Sequence, residues 1–236
     1  MDTIRMLFVV LKIEELMKNM LMLFTVLLVL SYASCSTDAG EWSATDVCPE
    51  SNRGTFVDER DGREYKYTTI GDQVWMAENL NYEVEKFSDC LYEDDCEQHG
   101  RHYEYSIVLQ GGLCPIDWHV PSLDEWRVLI NTMGGEEEGG HRLKSLTEWM
   151  PLNPGEESNG TDDCGFSALP VPRSGATHFG YDAAFMTSTD KCEASECENY
   201  SRYFYYIKME TNSYAITQSY VVAQGSERLA LRCVKD

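Results

Sequence analysis

Nine cysteines in a chain of 236 residues limit its possible folds more than any other feature. They stand at Cys35, Cys48, Cys90, Cys96, Cys114, Cys164, Cys192, Cys197 and Cys233. None of them forms the C-x-x-C pair of a structural zinc site and the histidines are scattered, so zinc is a poor explanation. Cysteines joined as disulfides in an oxidising compartment explain them better. Cys90 with Cys96 and Cys192 with Cys197 are close enough in sequence to be local clips. Counting alone does not fix the remaining pairs.

The N-terminus also points to export. "MLMLFTVLLVL" (Met20 to Leu30) is an uncharged apolar run, with Lys18 before it and "SYASC" after it. That is the layout of a secretory signal, and the run is shorter than the ~20 apolar residues of a membrane span. A start at Met17 gives a more usual signal than one at Met1. Ala33 and Ser34 lead to Cys35 and then to the polar stretch "STDAGEWSATD". This resembles a bacterial lipoprotein signal, in which the cysteine is lipidated and becomes the mature N-terminus. Tyr32 stands where such signals usually carry an aliphatic residue, and ordinary cleavage or an uncleaved anchor is the alternative. If Cys35 is the lipid site, the nine cysteines leave eight, enough for four disulfides. The expected organisation is a signal peptide over residues 1–34, a lipid-anchored tether over 35–54 and a folded domain over 55–236. The expected location is the bacterial outer membrane, on the cell surface.

The charge balance narrows the partners. Forty Asp and Glu face nineteen Lys and Arg, a formal net charge of -21. Displacing counterions from phosphates needs the opposite sign, which excludes nucleic acid as a partner class. Docking on anionic lipid headgroups is disfavoured in the same way. A membrane contact therefore runs through the N-terminal lipid.

Turn chemistry predicts a β-hairpin: Asp61-Gly62, a Tyr/Thr-rich strand Arg63 to Ile70, Gly71-Asp72, then Gln73 to Met76. Residues 83–97 hold seven acidic side chains around Cys90 and Cys96, the composition of a solvated, cross-linked loop. "RHYEYSIVLQ" suggests a short helix with its aromatic side chains turned inward. Ser122 and Glu125 form a capping-box signature, and Trp126, Leu129, Ile130 and Met133 make one apolar helical stripe ending at Gly134-Gly135. A second helical piece is expected near 140–146, and a loop-rich stretch over 150–182. Tyr203 to Glu210 alternates like an edge strand, and "RLALRCVKD" reads as a final core strand. The fold class is α+β: a single domain with few helices, antiparallel strands and long disulfide-clipped loops.

Five blocks in order, "DGREYKYTTIGDQVWMAENLNY", the Cys90–Cys96 loop, "CPIDWHVPSLDEW", "GTDDCGFSALP" and "LRCVKD", resemble the Fibrobacter succinogenes major paralogous domain, a family of exported bacterial proteins. Together they cover residues 55–236. The chain departs from the family pattern at Ile116-Asp117, at Cys164 where an aromatic is usual, at the added Cys192 and Cys197, and at "FMTSTD". "VPSLDEW" and "LALRCV" further resemble a helix start and closing strand of the C-type-lectin-like fold, as used by formylglycine-generating enzymes. This likeness implies a Cys114–Cys233 staple, which leaves Cys48 and Cys164 for the fourth pair.

No catalytic set stands out. His119 with nearby Asp124 and Glu125 could serve as a general base. However, acids on a first helical turn ordinarily satisfy orphan amides and the helix dipole, and Trp118 and Trp126 have the character of core anchors. Cys192 and Cys197 have a spacing similar to the copper-binding pair of the formylglycine-generating oxidase. They sit in an acidic loop, and a reactive thiolate needs an electropositive setting. Asn159, Asp162 and Asp163 form the best candidate calcium loop, although Asn and Asp serve tight turns equally well. His99 and His102 could share a helix face, but no third metal ligand is apparent. Trp75, Tyr203 and Tyr205 form the candidate surface for a glycan or protein ligand. The expected function is a non-catalytic binding or interaction module, with no cofactor apart from that calcium. The alternatives are an oxidase on the formylglycine-generating scaffold and a purely structural envelope lipoprotein.

Overall fold

The structure, a computed structural model, describes residues 16–20, 42–91, 96–108, 110–175, 179–191, 203–222 and 227–236. The chain divides into two units, Met1–Glu41 and Trp42–Asp236. Within the first, residues 16–20 are helical. The second holds every element that follows.

A meander opens it. β1 (Arg53–Asp58) pairs antiparallel with β2 (Arg63–Ile70), and β2 pairs with β3 (Gln73–Met76), so the hairpin read from the two glycine turns forms at the expected residues. Gly62 and Gly71 take φ of 77° and 58°, the left-handed turn conformation that glycine tolerates at little cost. β4 (Ser88–Asp89) lies within the acidic stretch and pairs with β5 (His102–Glu104). The helix expected over 101–110 is thus mostly replaced. β5 is held between β4 and the late strand Arg228–Ala230, and only a single turn, Tyr105–Val108, is helical. Tertiary pairing overrides the local preference there.

β6 (Trp118–His119) leads to the main helix α1 (Leu123–Thr132), and α2 (Gly139–Leu143) follows it. The capping box is complete. Ser122 Oγ accepts from the Glu125 amide at 3.2 Å, and the Ser122 amide donates to Glu125 Oε2 at 2.7 Å. At the other end Gly134 and Gly135 have φ of 97° and 91°, and Arg142 and Trp42 donate to the Met133 and Thr132 carbonyls, at 2.7 Å each. β7 (Asp182–Asp190), β8 (Tyr203–Glu210), β9 (Ile216–Val222), β10 (Arg228–Ala230) and β11 (Val234–Lys235) complete the fold.

Two sheets result, ordered β1-β2-β3-β11-β6 and β4-β5-β10-β7-β8-β9. Every strand pair is antiparallel except β10 with β7. The closing "RLALRCVKD" is therefore two strands rather than one, because the chain steps from the second sheet into the first between Ala230 and Val234. Its alternation survives the step: Leu229, Leu231 and Cys233 all enter one apolar cluster, with Tyr103, Tyr105, Met186 and Phe204. Ala230 and Val234 enter the other, with Trp75, Trp126, Phe166 and Phe185. Strand period two thus divides side chains between the clusters. β8 is not an edge strand. It lies between β7 and β9, and Phe204 and Ile207 are buried on its opposite faces.

Three disulfides cross-link the described residues: Cys48–Cys164, Cys90–Cys96 and Cys114–Cys233, with sequence separations of 116, 6 and 119. Closing either long loop stabilises by roughly 4–5 kcal/mol in the chain-entropy picture, against roughly 2 kcal/mol for the short clip. The two long loops overlap, so their effects do not simply add. Cys48–Cys164 also shortens the expected tether. Trp42, Ala44 and Val47 pack against the core, so residues 42–54 belong to the folded unit, as an apolar residue and a cross-link together require.

Candidate functional site

His119 is fixed from both sides. Its Nε2 lies 2.7 Å from Glu125 Oε1 and its Nδ1 lies 2.5 Å from Asp236 Oδ1. A neutral ring would face one carboxylate with a lone pair, so this geometry calls for the imidazolium. Partial burial opposes the charged form, but the bonds to Glu125 and Asp236 outweigh it and raise the pKa above the ordinary histidine value. Glu125 is held below the usual range: burial is opposed by bonds from the Ser122 amide, from His119 and from the Ser122 hydroxyl. With both nitrogens donating to carboxylates, the ring has no lone pair with which to abstract a proton. Its chemistry is that of a staple between β6, the start of α1 and the residue after β11.

The calcium candidates face three different partners. Asn159 Oδ1 accepts from the Trp149 amide at 3.1 Å, and Asp162 accepts from the amide of Ser167 at 2.6 Å and from its hydroxyl. Asp163 lies 3.8 Å from Arg142 Nε. The glycine in "NGTDD" has a steric cause: a Cβ on Gly160 would stand 2.3 Å from the Lys144 carbonyl oxygen. Among the described residues no group of three or more His, Cys, Asp or Glu is placed to hold a metal. His99 and His102 turn apart, His99 to Glu148 at 2.7 Å and His102 to the Pro172 carbonyl at 2.9 Å. Cys35, Cys192 and Cys197 lie outside the described residues.

Trp75 is not a surface residue. It is wholly buried against Trp126, ring centroids 4.8 Å apart, because the face of β3 that carries it packs on α1. Tyr203 and Tyr205 do share a face of β8, and the register places Tyr220 of β9 opposite Tyr205. Tyr203 and Tyr220 meet edge to face at 5.9 Å, and Tyr220 is 52 % exposed. Lys191 sets its ammonium 3.5 Å from the centre of the Tyr220 ring. On the same face nearer the hairpin turn, Arg127 of α1 reaches Gln218 at 3.2 Å. The helix thus covers one part of the sheet and leaves a tyrosine ledge at its margin, Tyr203 and Tyr220 exposed and Tyr205 partly buried against the core. Neither Tyr220 nor Lys191 stands out in the sequence; pairing of "AITQSYVV" with β8 in register is the signal that would have found Tyr220.

No curated protein and no solved structure matches the chain. Residues 68–235 match the Fibrobacter succinogenes major domain. That span takes in "GDQVW", the Cys90–Cys96 clip, the capped helix, "GTDDCGFSALP" and both closing strands, and the chain belongs to the Fibrobacter succinogenes major domain family.

Proposed function

We propose that this chain is an exported lipoprotein, anchored through Cys35 on the outer-membrane surface, that binds an uncharged glycan without catalysis. The observation that carries this reading is the ledge of Tyr203, Tyr205 and Tyr220 beside Lys191. Aromatic rings offer a sugar's C–H face a large contact at low entropic cost, and phenol and ammonium groups supply hydrogen bonds. A net charge of -21 repels acidic glycans and leaves neutral ones unaffected. The same reading extends the fold to the C-type-lectin-like class, supported by the Cys114–Cys233 bridge between the approach to the capped helix and the closing strand.

The test is a glycan and protein array probed with the detergent-extracted chain. Neutral glycans are expected to bind, and Tyr220→Ala is expected to weaken them about tenfold, the loss of one stacking contact. Binding of proteins alone would replace the glycan by a protein ligand. Silence on the whole array would favour a purely structural lipoprotein.

A further inference from the structure

Beside His119 the surface opens into a cleft of about 350 Å³, within the range of roughly 300–1,000 Å³ typical of small-ligand sites. Its walls include Val108, Leu113, Val120 and Trp118, and Ser188 and His119 stand in its lining. Gly111 and Gly112, at φ of 75° and 72°, form a lip that carries no side chain. No described residue lies within 4 Å of where their Cβ atoms would be.

Two separate features select the charge of an occupant. Trp118 lines the cleft, backed by Phe56 at 4.4 Å, and an indole is the strongest aromatic partner for a cation. At the rim, His119 donates both N–H groups to Glu125 and Asp236. The imidazolium therefore has no donor left for a ligand anion, and one positive charge between two carboxylates leaves the trio net negative. Asp236 is the accessible member, its side chain 61 % exposed. The acidic surface adds to this by concentrating cations near the opening.

We propose that this cleft is a receptor for an alkylammonium or guanidinium group. The stem lies against Val108, Leu113, Val120 and Trp118, and the head meets the Asp236 carboxylate. The group belongs either to a free amine or to a lysine or arginine side chain of a protein. The site is distinct from the tyrosine ledge and does not depend on it.

The detergent-extracted full chain, titrated by calorimetry and ligand-observed NMR, decides it. Butylammonium is expected to bind with a dissociation constant on the order of millimolar, given its few heavy atoms. Butanol, its neutral counterpart, is expected to bind about tenfold more weakly, and Asp236→Asn to weaken butylammonium by a similar factor. Ser188→Phe fills the cleft from an exposed strand position and is expected to abolish binding, with circular dichroism confirming the fold. An acetylated Gly-Lys-Gly amide separates the sources. Much tighter binding than butylammonium assigns the cleft to a protein side chain, and equal binding assigns it to a free amine. Equal affinity for butanol and butylammonium would overturn the proposal. So would binding that survives Ser188→Phe, or no binding of either cation. Tyr220→Ala leaves amine binding intact, so failure at the ledge and failure at the cleft are told apart.

Discussion

Lys144 and His119 are both cations that pin distant segments together, but they work in opposite surroundings. Lys144 is 1 % exposed. Its ammonium donates to the carbonyls of Glu210, of Thr211 at 3.2 Å and of Ser213 at 2.7 Å, and it lies 4.5 Å from the centre of the Trp149 ring. It thereby fixes the turn of the β8–β9 hairpin against the end of α2. His119 is partly exposed and pairs with full carboxylates. In the interior, neutral carbonyl dipoles compensate the charge without adding a second ion that would also need desolvating. At the surface, water screens the pair and full charges come together cheaply, for little gain. Burial lowers the Lys144 pKa to about 8 against the charge of Glu210, whereas hydrogen-bonded carboxylates raise that of His119.

Of the two cations, Lys144 therefore carries the larger expected effect. Lys144→Met keeps the stem but orphans three carbonyls, and a loss of about 2–4 kcal/mol is expected in urea unfolding. Between about 8 and the ordinary 10.5 the unfolded chain holds a proton that the folded chain has released. The lysine's contribution therefore rises with pH across that interval, and the deficit of Lys144→Met widens. Tyr65, Tyr103 and Tyr105, whose phenols burial raises, act the other way above about pH 10. They act equally in both proteins and cancel from the difference. A pH-independent deficit would show that the amine does not titrate in the fold.

Gly160→Ala tests the same region from its other side. The new methyl would meet the Lys144 and His141 carbonyl oxygens at 2.3 and 2.4 Å. Backbone must move, and about 1–3 kcal/mol of destabilisation is expected, read as a lower urea midpoint. A neutral outcome would mean that the "NGTDD" loop is not seated on α2.

Legibility in the sequence followed the distance between partners. The capping box spans three residues and the hairpin turns are local, so neighbouring residues alone are enough to read both. The Cys90–Cys96 clip is local too. Trp75 misleads because a strand buried on one face and a strand exposed on it share a period of two, and only the packing of α1 decides between them. His119 is visible as a candidate, but its second partner, Asp236, is 117 residues away. Lys144 carries no signal in the sequence, because the carbonyls that hold it belong to residues 66 to 69 positions further on. Asp162 looks like a cation ligand, and its bonds to Ser167 are recognisable only once both residues are seen at positive φ, 47° and 51°.

At His119 the expected effect is smaller and opposite in sign with pH. His119→Gln should cost about 1 kcal/mol or less, because the ring is partly exposed and screened. A raised folded pKa means the contribution is fully present below the ordinary value of 6.5 and is lost as pH rises through the folded value. The deficit of His119→Gln should therefore shrink with rising pH while that of Lys144→Met grows. Thermal unfolding from pH 5 to pH 9 reads both, and parallel curves would break the contrast.

Tyr220→Ala should move stability least. The ring meets Tyr203 edge to face, lies beside the Lys191 ammonium and is half in water, so a change within about 0.5 kcal/mol is expected in the same urea titration. Tyr105 is the useful control. It stacks on Phe204 at 4.8 Å and donates to the Tyr205 carbonyl at 2.6 Å, and its truncation to alanine should cost about 3–5 kcal/mol. Tyrosines in or packed against one sheet thus separate into a structural set and a set that stability does not require. A ledge residue whose loss weakens glycan binding without moving the unfolding midpoint is held there by its ligand. One whose loss moves the midpoint as far as Tyr105 does would belong to the core, and the ledge would then have no claim to function.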